Sequence, residues 1–261
     1  CRGFMSYSDR FSGIARLYGV DALERFRNTR VAVIGIGGVG SWIAESLART
    51  GFEIIHLIDM DDICVTNTNR QIHTLKDTVG QLKVEAMAER LKGINPDIQV
   101  TPVMDFLTKE NIEQLLGDMD FVVDAIDSVK VKAALIAWCK RNKMPIVTTG
   151  AAGGQTDPTQ ITIGDLNKTF NDPLAKKVRS LLRREYNFSR NEKRNYSVPC
   201  VFSTEQLKYP QPDGTVCQQK SFSDGAVKLD CSGGFGAATM VTASFGMVAA
   251  SKVAEKLAKA K

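Results

Sequence analysis

The residues with most chemical content form a series: Gly35-Ile36-Gly37-Gly38-Val39-Gly40, then Asp59, then Asn67-Thr68-Asn69-Arg70-Gln71, then Lys83. Gly35, Gly37 and Gly40 have G-x-G-x-x-G spacing, and Gly38 adds a further position where backbone can approach a phosphate. Asp59 follows Gly40 by 19 residues, the spacing of a carboxylate that accepts hydrogen bonds from ribose hydroxyls, and Asp61 beside it is a further nucleotide-site candidate. The glycines alone point to NAD more often than to ATP. Arg70 adds a bidentate fork for phosphate oxygens, Lys83 a point charge and Asn67 an amide, a set suited to the full triphosphate of ATP. That combination moves the expected chemistry from hydride transfer to adenylation. Each residue also has a plainer reading: a ligand-free turn, a strand-end carboxylate or a surface cation.

These groups need a βαβ frame. Residues 10–28 read as helical, with Ala15, Leu17, Leu23 and Phe26 as apolar contacts. Val31-Ala32-Val33-Ile34 is a short β-branched strand leading into the glycine loop, and the following helix opens at Ser41 as its cap and ends before Gly51. Ile54–Ile58 is a second strand closed by Asp59. Lys83–Ile94 reads as a crossover helix stopped by Asn95-Pro96, Ile98–Val103 as a strand, and Phe121-Val122-Val123 as another that ends in Asp124-Ala125-Ile126-Asp127. A helix through Trp138 and the strand Pro145–Thr149 complete the alternation. The expected fold is α/β, a doubly wound, Rossmann-like, mostly parallel sheet. The chain reads as one ATP-binding unit, 1–261, with 164–233 as a polar, basic specificity insertion or cap.

Asp124 and Asp127 stand just past a strand end, where ligands sit in such sheets, so one of them can hold Mg2+ against phosphates; helix capping is the alternative for Asp127. His56 alternates with apolar neighbours in a strand and reads as structural, and His73, nearer the site, has no visible partner, so neither receives a catalytic role. Cys231 precedes Ser232-Gly233-Gly234 and reads equally as a nucleophile, a sulfur carrier or an idle thiol. Zinc is not expected, since paired cysteine ligands are missing.

Composition narrows the setting. With 261 residues, no low-complexity tract and no solenoid-period repeat, the chain can bury a large core. The net charge is only +5, yet eight Lys/Arg face two Glu between Lys176 and Arg194. Such a block is expected to contact RNA phosphates, with a solvated helix face as the alternative. Six cysteines without a C-x-x-C pair, and no secretory leader before them, suggest reduced thiols in a cytoplasm. Ser232–Ala250 carries no charge over 19 residues, but its Gly, Ala, Ser and Thr content suits a helix packed on a sheet better than a membrane span.

The stretches Arg16-Leu17-Tyr18-Gly19, Asp59-Met60-Asp61-Asp62, Val65-Thr66-Asn67-Thr68-Asn69-Arg70-Gln71, Asp124-Ala125-Ile126-Asp127-Ser128, Thr148-Thr149-Gly150 and Gly233-Gly234-Phe235-Gly236-Ala237-Ala238-Thr239-Met240 resemble the ubiquitin-activating-like adenylating enzymes, a family that includes activators of sulfur-carrier proteins. The closer resemblance is to the tRNA threonylcarbamoyladenosine dehydratases. It implies ATP-dependent cyclisation of a modified adenosine in tRNA, with Asp59 on ribose, Asn67, Arg70 and Lys83 on phosphates and Asp127 on Mg2+. It also implies a homodimer in which an N-terminal arginine reaches the partner's site. The arginine of the sulfur-carrier activators falls here on Gly13, leaving Arg10 or Arg16 to substitute. That departure, the missing zinc cysteines and the basic block favour tRNA over a ubiquitin-like carrier as substrate. Activation of such a carrier is the second reading, with a sulfur-relay or cysteine desulfurase system as a further expected partner, and a nicotinamide-dependent oxidoreductase or nucleotide sensor is the third.

Overall fold

In a computed structural model that describes residues 6–211, 213–218 and 235–260, the N-terminal helical stretch is two helices, α1 (Tyr7–Tyr18) and α2 (Val20–Asn28), hinged at Gly19 with φ +93°. Then follow β1 (Arg30–Ile34), α3 (Gly40–Arg49), β2 (Ile54–Ile58), α4 (Lys83–Ile94), β3 (Gln99–Val103), the short α5 (Ile112–Leu116), β4 (Phe121–Asp124), α6 (Val129–Arg141) and β5 (Ile146–Thr149). The expected boundaries hold to within a few residues because the β-branched runs and the Asn95-Pro96 stop are local signals. Two expectations fail. Leu17, read as an apolar contact, is 72% exposed on the last turn of α1. Ser41 does not cap α3; Val39 is the N-cap, and the Ser41 hydroxyl is buried without a partner.

The segment expected as an insertion or cap is partly woven into the sheet. β6 (Ile161–Asp165) leads through α7 (Pro173–Glu185) to β7 (Pro199–Ser203), and β7 hydrogen-bonds between β5 and β6. A two-stranded ribbon of β8 (Tyr209–Pro210) and β9 (Val216–Cys217) and the final helix α8 (Thr239–Ala258) complete the described chain. The seven strands run in the order β3-β2-β1-β4-β5-β7-β6, all parallel except the antiparallel β6–β7 pair. Strand order reverses between β1 and β4, and a crevice opens beyond the carboxyl ends of strands at such a point.

The sheet is covered on both faces, as its uninterrupted apolar strands require. Val31 and Val33 of β1 join Phe26, Ile43, Leu47, Phe52 and Phe245 in one core, whereas Ala32 and Ile34 turn to Leu135, Ile136, Val178 and Leu182 in the other. This is the period-2 alternation of a strand buried on both faces. The uncharged C-terminal run behaves as its small residues suggest: Gly246 lets α8 lie directly on α3, since a Cβ there would come 2.7 Å from Trp42 Cβ and 2.8 Å from the Val39 carbonyl oxygen. No helix among the described residues is long and apolar enough to cross a membrane. Cys231 lies outside the described residues.

The turn from β1 into α3 is the tightest point of the frame. Gly35 has φ +83°, and a Cβ on Gly40 would sit 1.7 Å from the Gly35 carbonyl oxygen. Gly40→Ala is therefore expected to displace the whole loop: ATP binding measured by calorimetry should fall below detection, and the melting temperature should drop with a loss of about 1–3 kcal/mol. Wild-type ATP affinity in that variant would show that the loop does not need this close approach.

Candidate functional site

A cleft of about 1000 Å³ opens at the β1–β4 switch point, lined by the glycine loop, the Asp59–Arg70 connection, Lys83 and the loops after β4 and β5. Gly35, Gly37, Gly38, Asp59, Asp61, Asn67, Arg70, Lys83 and Asp127, all read from sequence, lie on its wall. Gly40 stands behind them, at the start of α3. Arg16, exposed at the end of α1, is not among the lining residues. The other N-terminal candidate, Arg10, donates to the Ile94 carbonyl at 3.2 Å.

Asp59 ties two loops. Its Oδ2 accepts from the Ile36 N–H at 2.6 Å and its Oδ1 from the Asp61 N–H at 2.8 Å, so the carboxylate sets the glycine loop against its own strand end. Lys83 opens α4 almost wholly buried, and its ammonium donates to Asp61 Oδ2 at 2.7 Å. Asp61 thus holds the lysine at the cleft wall. Asn67 ends a 3₁₀ turn, Val65–Asn67, where its Oδ1 accepts from the Cys64 N–H at 2.9 Å; its amide NH₂ is the group left for a ligand.

Arg70 lies along Gly38, within 3.1–3.2 Å of where a Cβ would be, and its Nη1 donates to the Thr66 carbonyl at 3.0 Å. Its own carbonyl accepts from Trp42 Nε1 at 3.0 Å, while Thr239 Oγ1 donates to the Asn69 carbonyl at 2.6 Å and Asn69 Nδ2 to the Ala237 carbonyl at 2.8 Å. The start of α8 therefore pins the arginine loop. That is a structural role for the Gly236-to-Thr239 stretch which its sequence alone does not disclose.

On the facing wall, Asp124 and Asp127 part company. Asp124 is fully buried: Oδ1 accepts from the Ile126 N–H at 3.0 Å, and Oδ2 from Thr148 Oγ1 at 2.6 Å and Lys132 Nζ at 2.9 Å. It is not among the residues that line the cleft, so it does not present an oxygen to a metal there. Asp127 is exposed into the cleft and does not cap α6, whose N-cap is Ser128 without a side-chain bond. An exposed carboxylate such as Asp127 at the cleft wall fits a magnesium ion shared with nucleotide phosphates. No cluster of three or more acidic, histidine or cysteine side chains able to hold a metal by itself exists among the described residues.

Three supporting groups escaped sequence reading. Lys132 sits in the apolar run of α6 and donates also to the Ile126 carbonyl at 2.9 Å, a partnership that a lysine among alanines should have signalled. Asp172 caps α7 through Ala175 N–H at 2.8 Å and binds Ala151 N–H at 2.9 Å. Burial raises its pKa, and Gly150 must lack a side chain because a Cβ would fall 1.8 Å from the Asp172 Oδ2. His73, expected to have no partner, has one: its Nε2 is 2.9 Å from the Ile36 carbonyl oxygen under the glycine loop. Burial pushes its pKa down to about 4, so the ring is neutral and this nitrogen is the donor.

The ThiF family profile matches residues 10–260. The tRNA threonylcarbamoyladenosine dehydratase of Escherichia coli K12 is 58% identical over 253 residues, 97% of this chain and 94% of that protein. Its Haemophilus influenzae counterpart is 54% identical over 257 residues, covering 98% of this chain and 96% of that protein. The crystal structure of the E. coli enzyme in complex with ATP superposes with a TM-score of 0.84 at 53% identity, over 96% of this chain and 94% of that one.

Arg70→Ala removes a cation from the cleft wall while keeping the backbone carbonyl that anchors the loop. Turnover should fall roughly 10²-fold or more with an unchanged melting temperature, and near-normal turnover would remove Arg70 from the site. His73 makes a second prediction. The unfolded ring takes a proton near pH 6.5 whereas the folded ring resists until about pH 4, so its contribution to stability is lost as pH falls through that window. Urea unfolding at pH 7 and pH 4.5 should show His73→Gln gaining about 2 kcal/mol relative to the wild type at the lower pH. An equal stability difference at both pH values would contradict a buried neutral ring.

Proposed function

Because the chain belongs to the ThiF family, we propose that its cleft uses ATP to cyclise the threonylcarbamoyl group of a modified adenosine in tRNA. The observation that carries this is the near full-length likeness to dehydratases of that substrate, joined to a cleft whose cations and exposed Asp127 suit a nucleotide triphosphate. The free carboxylate of the threonylcarbamoyl group attacks the α-phosphate of ATP, forming an acyl–phosphate bond as pyrophosphate leaves. The carbamoyl oxygen then attacks the activated carbonyl, the carbamoyl N–H proton is lost and AMP departs. The cyclic product is one water lighter than the substrate.

The protein's part is positioning and charge neutralisation. Asp59 orients the ribose from the end of β2; Asn67, Arg70 and Lys83 hold phosphate oxygens. Lys83 is poised by Asp61, and nucleotide phosphates compete with that carboxylate for its ammonium. Asp127 would hold Mg2+, which would supply positive charge beside the phosphates. No protein nucleophile is needed, since the substrate traps its own acyl adenylate. The exposed position of Arg16 outside its own cleft suits service to a second copy's site in a homodimer. The whole chain acts as one adenylating unit, and free thiols at Cys64, Cys139 and Cys200 suit a reducing cytoplasm.

Mass spectrometry of nucleosides after incubating threonylcarbamoyladenosine-bearing tRNA with ATP and the protein should show loss of one water. Unaltered tRNA, together with adenylation of a ubiquitin-like carrier, would favour the second reading. Asp127→Asn should bind ATP with little change yet lose activity that high Mg2+ partly restores, because the amide keeps shape without charge. A Mg2+ titration curve unchanged from wild type would take the metal away from Asp127.

A further inference from the structure

A second cavity, of about 860 Å³, lies along the flank of α7 away from the cleft, among Lys176, Arg179, Arg183, Arg184, Arg190 and the residues 167–169. Lys168 adds a sixth cation, and Glu192 is the single acid on its wall. Five of the eight cations of the basic block recognised in sequence thus line a concave surface, and some of them are committed. Lys177 points instead into the cleft, and Arg183 is half-buried, with Nε donating to Tyr196 Oη at 3.0 Å and Nη2 to Asn167 Oδ1 at 2.8 Å.

The guanidinium groups carry the argument. Arg179, also half-buried, donates through Nη1 to Thr169 Oγ1. Neither Arg179 nor Arg183 forms an ion pair among the described residues; every partner named for them is a neutral oxygen. Burial and the nearby Arg183 pull the Arg179 guanidinium below its usual pKa, as expected of like charges held together with little water. Neutral acceptors fix the direction of such cations without cancelling their charge. An anion with several oxygens complements such an arrangement. The pocket shares its helix with the cleft: Pro173, Leu174 and Lys177 of α7 line the cleft, and Lys176, Arg179 and Arg183 line the pocket.

We propose that this pocket is a phosphate-binding site for a backbone phosphate of the tRNA, holding the strand on one side of α7 while the reacting nucleotide occupies the cleft on the other. The assignment rests on the tRNA reading of the cleft. It adds that RNA affinity is set outside the nucleotide site, by Arg179 and Arg183 with Lys176 and Arg190 at the rim.

Fluorescence anisotropy with labelled tRNA bearing threonylcarbamoyladenosine tests it. Arg179→Gln with Arg183→Gln should weaken binding roughly tenfold or more, and flatten the log–log salt dependence by about 1.8, near 0.9 for each lost contact. ATP affinity by calorimetry should be unchanged. Inorganic phosphate should compete with tRNA for the wild type beyond the effect of chloride at equal ionic strength, and this excess should vanish in the variant. Wild-type tRNA affinity and slope in the double variant would overturn the proposal. So would phosphate binding that leaves tRNA affinity untouched, since the pocket would then serve free phosphate. Should the double variant fail to fold, Lys176→Gln with Arg190→Gln, at exposed rim positions, must show the same direction of change, and unaltered affinity there counts against the site. Failure of the functional reading is separate: the wild type would then bind tRNA through this pocket without cyclising its modified base.

Discussion

The buried ion pair between Asp124 and Lys132 organises the working end of the sheet. Both side chains are withdrawn from water, at 0% and 2% exposure, which is costly unless the charges are paired and hydrogen-bonded. Here the matching comes from Thr148 on the neighbouring strand and from the N–H and carbonyl of Ile126. The pair therefore joins β4, β5, α6 and the loop carrying Asp127 at one point. Removing either partner would strand the other charge in the core, so the loop's course is fixed by electrostatics as much as by packing.

The opposite wall is held by a different logic. Asp59 bonds the backbone of the glycine loop, His73 supports the same loop through the Ile36 carbonyl, and the Arg70 loop hangs from Trp42 and the first turn of α8. Residues distant in sequence thus converge on backbone atoms rather than on side chains of the site. The cleft cations are thereby held at its wall, Lys83 on Asp61 and Arg70 on the Thr66 carbonyl. Such preorganisation suits chemistry in which the protein supplies charge and position and the substrate supplies its own nucleophile.

α7 relates the cleft to the cationic pocket. Its first turn is locked to the end of β5 through Asp172, and the same helix presents one flank to the cleft and another to the cationic pocket. The rigid coupling places both surfaces in a fixed relation. Asp172, buried and raised in pKa, is a structural joint rather than a participant in the reaction.

Much of this was legible without coordinates. The β-branched runs at Val31–Ile34 and Ile54–Ile58, the glycine spacing and the Asn95-Pro96 stop are short-range signals, and they determined the βαβ frame and the course of the glycine loop that lines the cleft. Asp124 and Asp127 looked equivalent in sequence, because a string of residues does not show which oxygens are already bonded; only burial beside Lys132 and Thr148 separates them. Ser41 looked like a cap for the same reason, and His73 looked partnerless because its acceptor is a backbone carbonyl that folding brings beneath it. The basic block showed its charge in sequence, but not that Arg179 and Arg183 are half-buried on neutral partners. Residue type and local spacing determine what chemistry a chain can attempt; which groups keep their charge and lone pairs available is decided by long-range contacts that exist only once the sheet and its helices have closed.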